Sequence, residues 1–235
     1  MKLNFFYKKK ILVVAAHPDD EMLGVGGTIH NLVSKNKIIA NAMILSKGIT
    51  SRQSDKNDKD LIKQEKNIIK STSIIGFKDV VTLDFPDNRF DSVDLLDIIR
   101  SVENIIEKFK PDIIFTHHSM DLNIDHSITN EAVITATRPV PDTRPVSLFS
   151  FETPSSTEWQ VNDSDKAFLP NFFVELNKND IVAKQKALRA YSTECKNYPH
   201  PRSEKSLEII SERWGLNIGV KYAEAFRIIR HIQKL

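Results

Sequence analysis

Two short stretches of this sequence gather residues able to hold a metal and move protons. One is Ala16-His17-Pro18-Asp19-Asp20-Glu21; the other is His117-His118-Ser119-Met120-Asp121-Leu122-Asn123-Ile124-Asp125-His126. Each follows directly on a short apolar run. His17 and Asp20 are three apart across a turn into a helix, so both side chains can converge on one ion. A third ligand from the second stretch would complete three protein ligands and leave a position for water. That is the pattern of a catalytic zinc site rather than a closed structural one. Imidazole and carboxylate without thiolate favour zinc, with iron(II) or cobalt(II) as substitutes. Asp19 neighbours Asp20 but should point differently, which suits a general base beside the water. Pro18 stiffens the turn and fits a first helical position. Acids at a helix N-terminus also serve simply to complement the helix dipole. The second stretch raises the first above that plain reading, because both fall on one rim of the fold.

The elements that must position them alternate. Ile11–Ala16, Ile38–Leu45, Val80–Leu83 and Asp112–Thr116 read as short strands, the first a continuous apolar run suited to a strand covered on both faces. Helical stripes lie between them: residues 20–35, residues 61–75 closed by Gly76, residues 93–109 capped by Asp91 and stopped by Pro111, and residues 125–136. This predicts an α/β fold, a mostly parallel sheet with helices on both faces, joined by right-handed crossovers. In such sheets ligands bind beyond the carboxyl ends of the strands, where both stretches lie. Residues 47–58 are polar and read as a loop. After a proline-rich loop at 138–145, Val146–Phe151, Phe172–Leu176 and Phe226–Arg230 read as strands, and Asn179–Tyr191 and Ser203–Trp214 as helices. The expectation is a single domain over residues 1–235, with a core in 1–136 and residues 137–235 packed on it.

Composition excludes several classes. The net charge is +2, and Lys8-Lys9-Lys10 is the only basic run that stands out, so no nucleic-acid footprint is expected. The sole cysteine, Cys195, forbids an intrachain disulfide and fits a reducing compartment. No stretch approaches the ~20 apolar residues of a membrane span, and the apolar run after the lysines is too short for a secretory signal. A cytoplasmic protein without a membrane anchor is the expectation.

The two stretches together resemble the PIG-L-like zinc deacetylases, the N-acetylglucosaminyl deacetylase family. The segments Phe151–Trp159 and Pro199-His200-Pro201-Arg202-Ser203 resemble its bacterial branch. The resemblance implies a Rossmann-like three-layer sandwich that hydrolyses the N-acetyl amide of a GlcNAc-type sugar. It also implies one zinc per chain, a small amino-sugar substrate, and a trimer or hexamer as the assembly. By position it implies His17, Asp20 and His126 as ligands, Asp19 as base and Asp125 as the residue that orients a catalytic group. Arg52 and Asp87 match positions that contact sugar hydroxyls. Several family members carry a histidine three residues before the last ligand, to stabilise the oxyanion; here Asn123 stands there. An amide can donate a hydrogen bond but supplies no charge, so His118 and His200 are further candidates. Trp159, in a polar loop, is a candidate for stacking on the sugar.

Three other readings compete. Gly24-Val25-Gly26-Gly27 invites a nucleotide-binding turn, but position 29 is Ile and the glycines follow the His-Pro-Asp-Asp turn. They are expected instead to let a helix pack closely. A zinc-bearing binding protein without turnover, or an amidase acting on a thiol–sugar conjugate of the mycothiol or bacillithiol type, would use the same residues. No Gly-x-Ser-x-Gly elbow supports serine catalysis.

Overall fold

A computed structural model describes residues 5–35, 37–48, 58–140, 146–160 and 164–231. In chain order the elements are β1 (Lys9–Ala15), α1 (Asp20–Ser34), β2 (Ile38–Ile44), α2 (Asp58–Ile75), β3 (Asp79–Thr82), α3 (Leu95–Phe109), β4 (Ile113–His117), α4 (Ile124–Ala136), β5 (Ser147–Phe151), β6 (Phe172–Leu176), α5 (Lys178–Ala190), α6 (Glu204–Ile218) and β7 (Tyr222–Arg230). The strands form one seven-stranded sheet in the order β3-β2-β1-β4-β5-β7-β6. The first five of these pair in parallel, while β7 runs antiparallel to both β5 and β6. The expected mostly parallel α/β fold is what the chain adopts.

Alternation along β1 divides the core. Ile11 and Val13 face one layer with residues of α1, α2 and α5; Leu12 and Val14 face the other with residues of α3 and α4. Both faces are covered, which is why these strands read as continuous apolar runs. β1 is flanked by β2 on one side and β4 on the other, so the chain reverses direction across the sheet beside β1. That switch point opens a crevice at the carboxyl ends of β1 and β4, and the two chemically loaded stretches emerge there.

The glycines after β1 serve packing. A Cβ on Gly24 would run into the Phe151 ring, and one on Gly27 would lie 2.6 Å from Leu176. α1 therefore sits directly on β5 and β6, as expected of a close-packed helix.

Several boundaries differ from expectation. Asp91 does not cap α3; it lies in a short 3-10 turn, Phe90–Ser92, and Asp94 caps the helix by accepting the Leu96 amide. Two acids three residues apart both suit a cap, and the extra turn decides between them. α4 begins at Ile124 with Asn123 as its cap. β7 starts at Tyr222, ahead of the apolar run that suggested a strand from Phe226. Its buried Glu224 interrupts the pattern because its carboxylate is bonded to the Gly27 and Thr28 amides and to Lys184.

Candidate active site

The turn between β1 and α1 is held by the acids that follow it. Asp20 Oδ2 accepts the His17 amide at 2.9 Å, and Glu21 Oε2 accepts the Asp19 amide at 3.0 Å. These reach backwards to cap the amides that a helix start leaves unpaired. Asp19 sits at φ 95°, ψ −27°. A left-handed aspartate costs on the order of 1–3 kcal/mol and persists only where its surroundings hold it.

Three ligand atoms meet at this turn. His17, Asp20 and His126 each offer one within 4.8 Å of the others. Around Asp20 the two histidines are arranged alike. His17 Nε2 donates to Asp125 Oδ2 at 2.9 Å, while Nδ1 lies 3.4 Å from Asp20 Oδ2. His126 Nδ1 lies 3.1 Å from Asp121 and its Nε2 3.3 Å from Asp20. Each imidazole thus has a carboxylate behind it and Asp20 in front. Carboxylates placed behind ligating histidines fix ring orientation and raise ligand basicity. Asp125 is locked in turn by the Phe90 amide, and Asp121 by Ser156 and Thr157.

Whether these residues suit a metal can be judged from what they leave unmade. Asp20 Oδ1 and both ring nitrogens of His126 are buried without a hydrogen bond. Buried polar groups are nearly always paired, so orphaned atoms on Asp20 and His126, which with His17 each offer a ligand atom within 4.8 Å of the others, fit a cation. The electrostatics agree. Burial acts to pull the His17 imidazole down, but Asp125, Asp20 and Asp87 outweigh it and push it up to about 10. Burial pushes the Asp20 carboxyl up, yet His126, His117 and His17 hold it well below its ordinary value. Burial likewise raises Asp121, but His126, Ser156 and Thr157 bring it down to about 2.

Asp19 faces the same space with a different environment. Its Oδ2 accepts from Arg202 Nη1 at 2.9 Å, and its Oδ1 is a further buried orphan. Burial pushes this carboxyl well above the usual range; Arg202 opposes that, and Asp20 and Glu194 add to it.

A cavity of about 320 Å³ lies over these groups, lined among others by His17, Asp19, Asp87, Asn123, Trp159, His200 and Arg202. It is the size of one sugar ring with its substituents.

Residues 12–137, more than half the chain, match the family model PIG-L, described as GlcNAc-PI de-N-acetylase. The chain belongs to the PIG-L family. It is 27% identical over 191 residues to the uncharacterized deacetylase YaiS of Escherichia coli, covering 79% of this chain and 92% of YaiS. It is 24% identical over 233 residues to diacetylchitobiose deacetylase of Thermococcus kodakarensis, covering 94% of this chain and 83% of that protein. Its fold is shared with a conserved protein from Thermus thermophilus, at TM-score 0.75, 22% identity and 97% coverage of both chains.

Within this PIG-L fold the expected site residues that are described fall into three groups. His17, Asp19, Asp20, Asp125 and His126 come together as described. Asp87, Asn123, Trp159 and His200 line the cavity. Asp87 Oδ1 lies 3.3 Å from His17 Nε2. The Asn123 side chain is committed at both ends, its Oδ1 capping α4 and its Nδ2 donating to Asn88. Trp159 is half exposed and meets His200 edge-on at 5.7 Å. His118 stands apart: it is buried against Phe168, and its Nε2 donates to the Lys166 carbonyl. Arg52 lies outside the described residues.

The residue that sequence reasoning missed on β4 is His117. The strand runs one residue past Thr116, so His117, and not His118, is aimed at the site. Its Nε2 accepts the Ala16 amide at 2.9 Å, which places its proton on Nδ1, facing Thr153. Its ring stacks on His126 with centroids 3.9 Å apart. Asp121 and Arg202 were also missed as contributors. Asp121 sits inside the same stretch as His126; Arg202 is brought in from 183 residues away, from the Pro199–Ser203 segment that resembles the family's bacterial branch.

Proposed function

We propose that this chain hydrolyses the N-acetyl amide of a GlcNAc-type amino sugar or its conjugate, with zinc held by His17, Asp20 and His126. The observation that carries this reading is the convergence of three ligand atoms, orphans among them, beside a buried, Arg202-held Asp19 at the floor of a sugar-sized cavity. The names of the deacetylase relatives support the same reaction class. An oxygen- and nitrogen-donor set with no thiolate favours zinc over softer-ligand metals. Bound zinc supplies a Lewis acid for the acetyl carbonyl and lowers the pKa of water to ~7.

The protein's own groups account for the proton traffic. Arg202 holds Asp19 Oδ2, so Oδ1 is the atom that takes a proton from the attacking water. A carboxyl raised by burial holds that proton long enough to return it to the leaving nitrogen. Water is thereby added across the C–N bond, giving acetate and a free amine. His200 Nδ1 accepts the Arg202 amide, so its Nε2 carries the proton. Burial and the charges of Arg202 and Lys196 hold this imidazole below its ordinary value, hence neutral. His200 Nε2–H is therefore the donor proposed for the oxyanion; Asn123 Nδ2 already donates one of its protons to Asn88. Asp87 and Trp159 offer a hydrogen-bond acceptor and a stacking face to the sugar.

The test is acetate and amine release from a panel of N-acetyl sugars, sugar nucleotides and thiol–sugar conjugates, with and without added zinc. Release from an N-acetyl sugar is expected. Stoichiometric zinc with no release from any amide would favour a binding protein and overturn the reading.

A further inference from the structure

Asp19 occupies a left-handed conformation, and something must keep it there. Arg202 grips the side chain, but the backbone is gripped separately. The Glu21 side chain curls back from the first turn of α1, and its Oε2 accepts the Asp19 amide at 3.0 Å. Its other oxygen, Oε1, accepts the hydroxyl of Tyr191 at 2.8 Å. Tyr191 is the residue just past the end of α5 and is fully buried in the core beneath the turn. Glu21 is equally buried. A short chain of hydrogen bonds therefore runs from the end of α5, through a carboxylate engaged at both oxygens, to the amide of the base. Neither Glu21 nor Tyr191 lines the cavity, so neither touches substrate.

We infer that Glu21 and Tyr191 are positioning residues for Asp19: together they hold its amide, and thereby aim its carboxylate at the attacking water. Tyr191 fixes the Glu21 carboxylate, and Glu21 fixes the Asp19 backbone. Without them the turn can relax toward an ordinary conformation that swings Asp19 away from the cavity floor. This rests on Asp19 being the base, so its test includes a readout independent of turnover.

The variants are Glu21→Ala, Tyr191→Phe and Glu21→Gln. Misplacement of a catalytic group by about 1 Å can cost 10²-fold. Glu21→Ala is expected to lower kcat about 100-fold and Tyr191→Phe about tenfold, with KM within about twofold and one zinc retained per chain. Glu21→Gln should recover most of the turnover, because its amide oxygen can accept from Asp19 while its nitrogen donates to the Tyr191 oxygen. In metal-free protein, hydrogen exchange at the Asp19 amide should accelerate in Glu21→Ala and Tyr191→Phe, but not in Glu21→Gln. If Glu21→Ala fails to fold, Tyr191→Phe, which removes one oxygen, carries the test. Unchanged kcat and amide exchange in a folded Tyr191→Phe would overturn the inference. So would zinc loss in step with turnover, or a Glu21→Gln as impaired as Glu21→Ala. A wild-type protein that hydrolyses no N-acetyl sugar contradicts the function proposed above, while the amide exchange still decides the positioning.

Discussion

The two parts of this chain contribute different things to one site. Residues up to about 137 form most of the parallel part of the sheet and supply the three side chains that could hold a metal, the base proposed above, and the carboxylates behind His17 and His126. Residues after 146 add β5 and the antiparallel edge of β7 and β6. They supply what holds and encloses those groups: Thr153 on His117, Ser156 and Thr157 on Asp121, Tyr191 on Glu21, and Arg202 on Asp19. The family match stops at residue 137. Apart from the oxyanion donor proposed at His200, the reacting groups thus come from turns at the ends of parallel strands, where spacing in sequence is nearly spacing in space. The groups that fix them arrive from afar and are chosen by where the second part lands.

If that division is right, substitutions in the two parts should fail in different ways. The largest effect belongs to the first part. His126→Ala should lose the metal and, with it, at least about 10³-fold in turnover; metal analysis after dialysis checks the first and acetate release the second. A His126→Ala protein that kept its zinc would break the assignment. Next comes Arg202→Met, from the second part. It should keep its zinc and lose about 10- to 100-fold in kcat/KM near neutral pH. The sign of its pH dependence is fixed. Arg202 acts to lower the Asp19 carboxyl, so its removal raises that carboxyl further, and the acid limb of the kcat/KM profile should move to higher pH. An acid limb that moved down would contradict the pairing.

Zinc uptake sharpens the comparison from the other side. In metal-free protein His17 holds its proton up to about 10, and binding must expel it. Against its burial, His126 is raised as well by Asp20 and Asp121, so zinc affinity should rise at least about tenfold per pH unit between about pH 6.5 and 9, with one proton or more released. Competition with a chelator of known proton affinity measures this, and a flat profile would deny His17 as a ligand. The smallest effect is expected at the cavity mouth. Trp159→Ala should raise KM about three- to tenfold with kcat nearly unchanged, the range of an aromatic contact.

Much of this was legible in the sequence, for reasons that mark where legibility ends. Doubly covered strands such as Ile11–Ala16 announce themselves by continuous apolar runs, and α2 by its stripe and Gly76. His17 and Asp20 could be picked out because they lie three apart just past a strand end; the second stretch promised a third ligand, and the family resemblance singled out His126 within it. His118 against His117 turned on one residue of strand length, which periodicity does not resolve. The β7 strand was half hidden because Glu224 is buried in an apolar run, satisfied by α1 amides and Lys184 that no local pattern foretells. Tyr191 is an ordinary residue at a helix end, and the motif that holds Arg202 does not say what its side chain meets. Only the packing of α5 and the 194–203 loop against the β1–α1 turn reveals what they touch.

The most direct test of the central claim is Asp19→Asn, an isosteric change that leaves the three ligands in place. Zinc content and acetate release from the best N-acetyl sugar would be measured on the same samples. The account predicts one zinc per chain, as in the wild type, and turnover lowered by about 10²- to 10⁴-fold. Near-normal turnover with zinc bound would remove Asp19 as the base, and with it the mechanism proposed for this site.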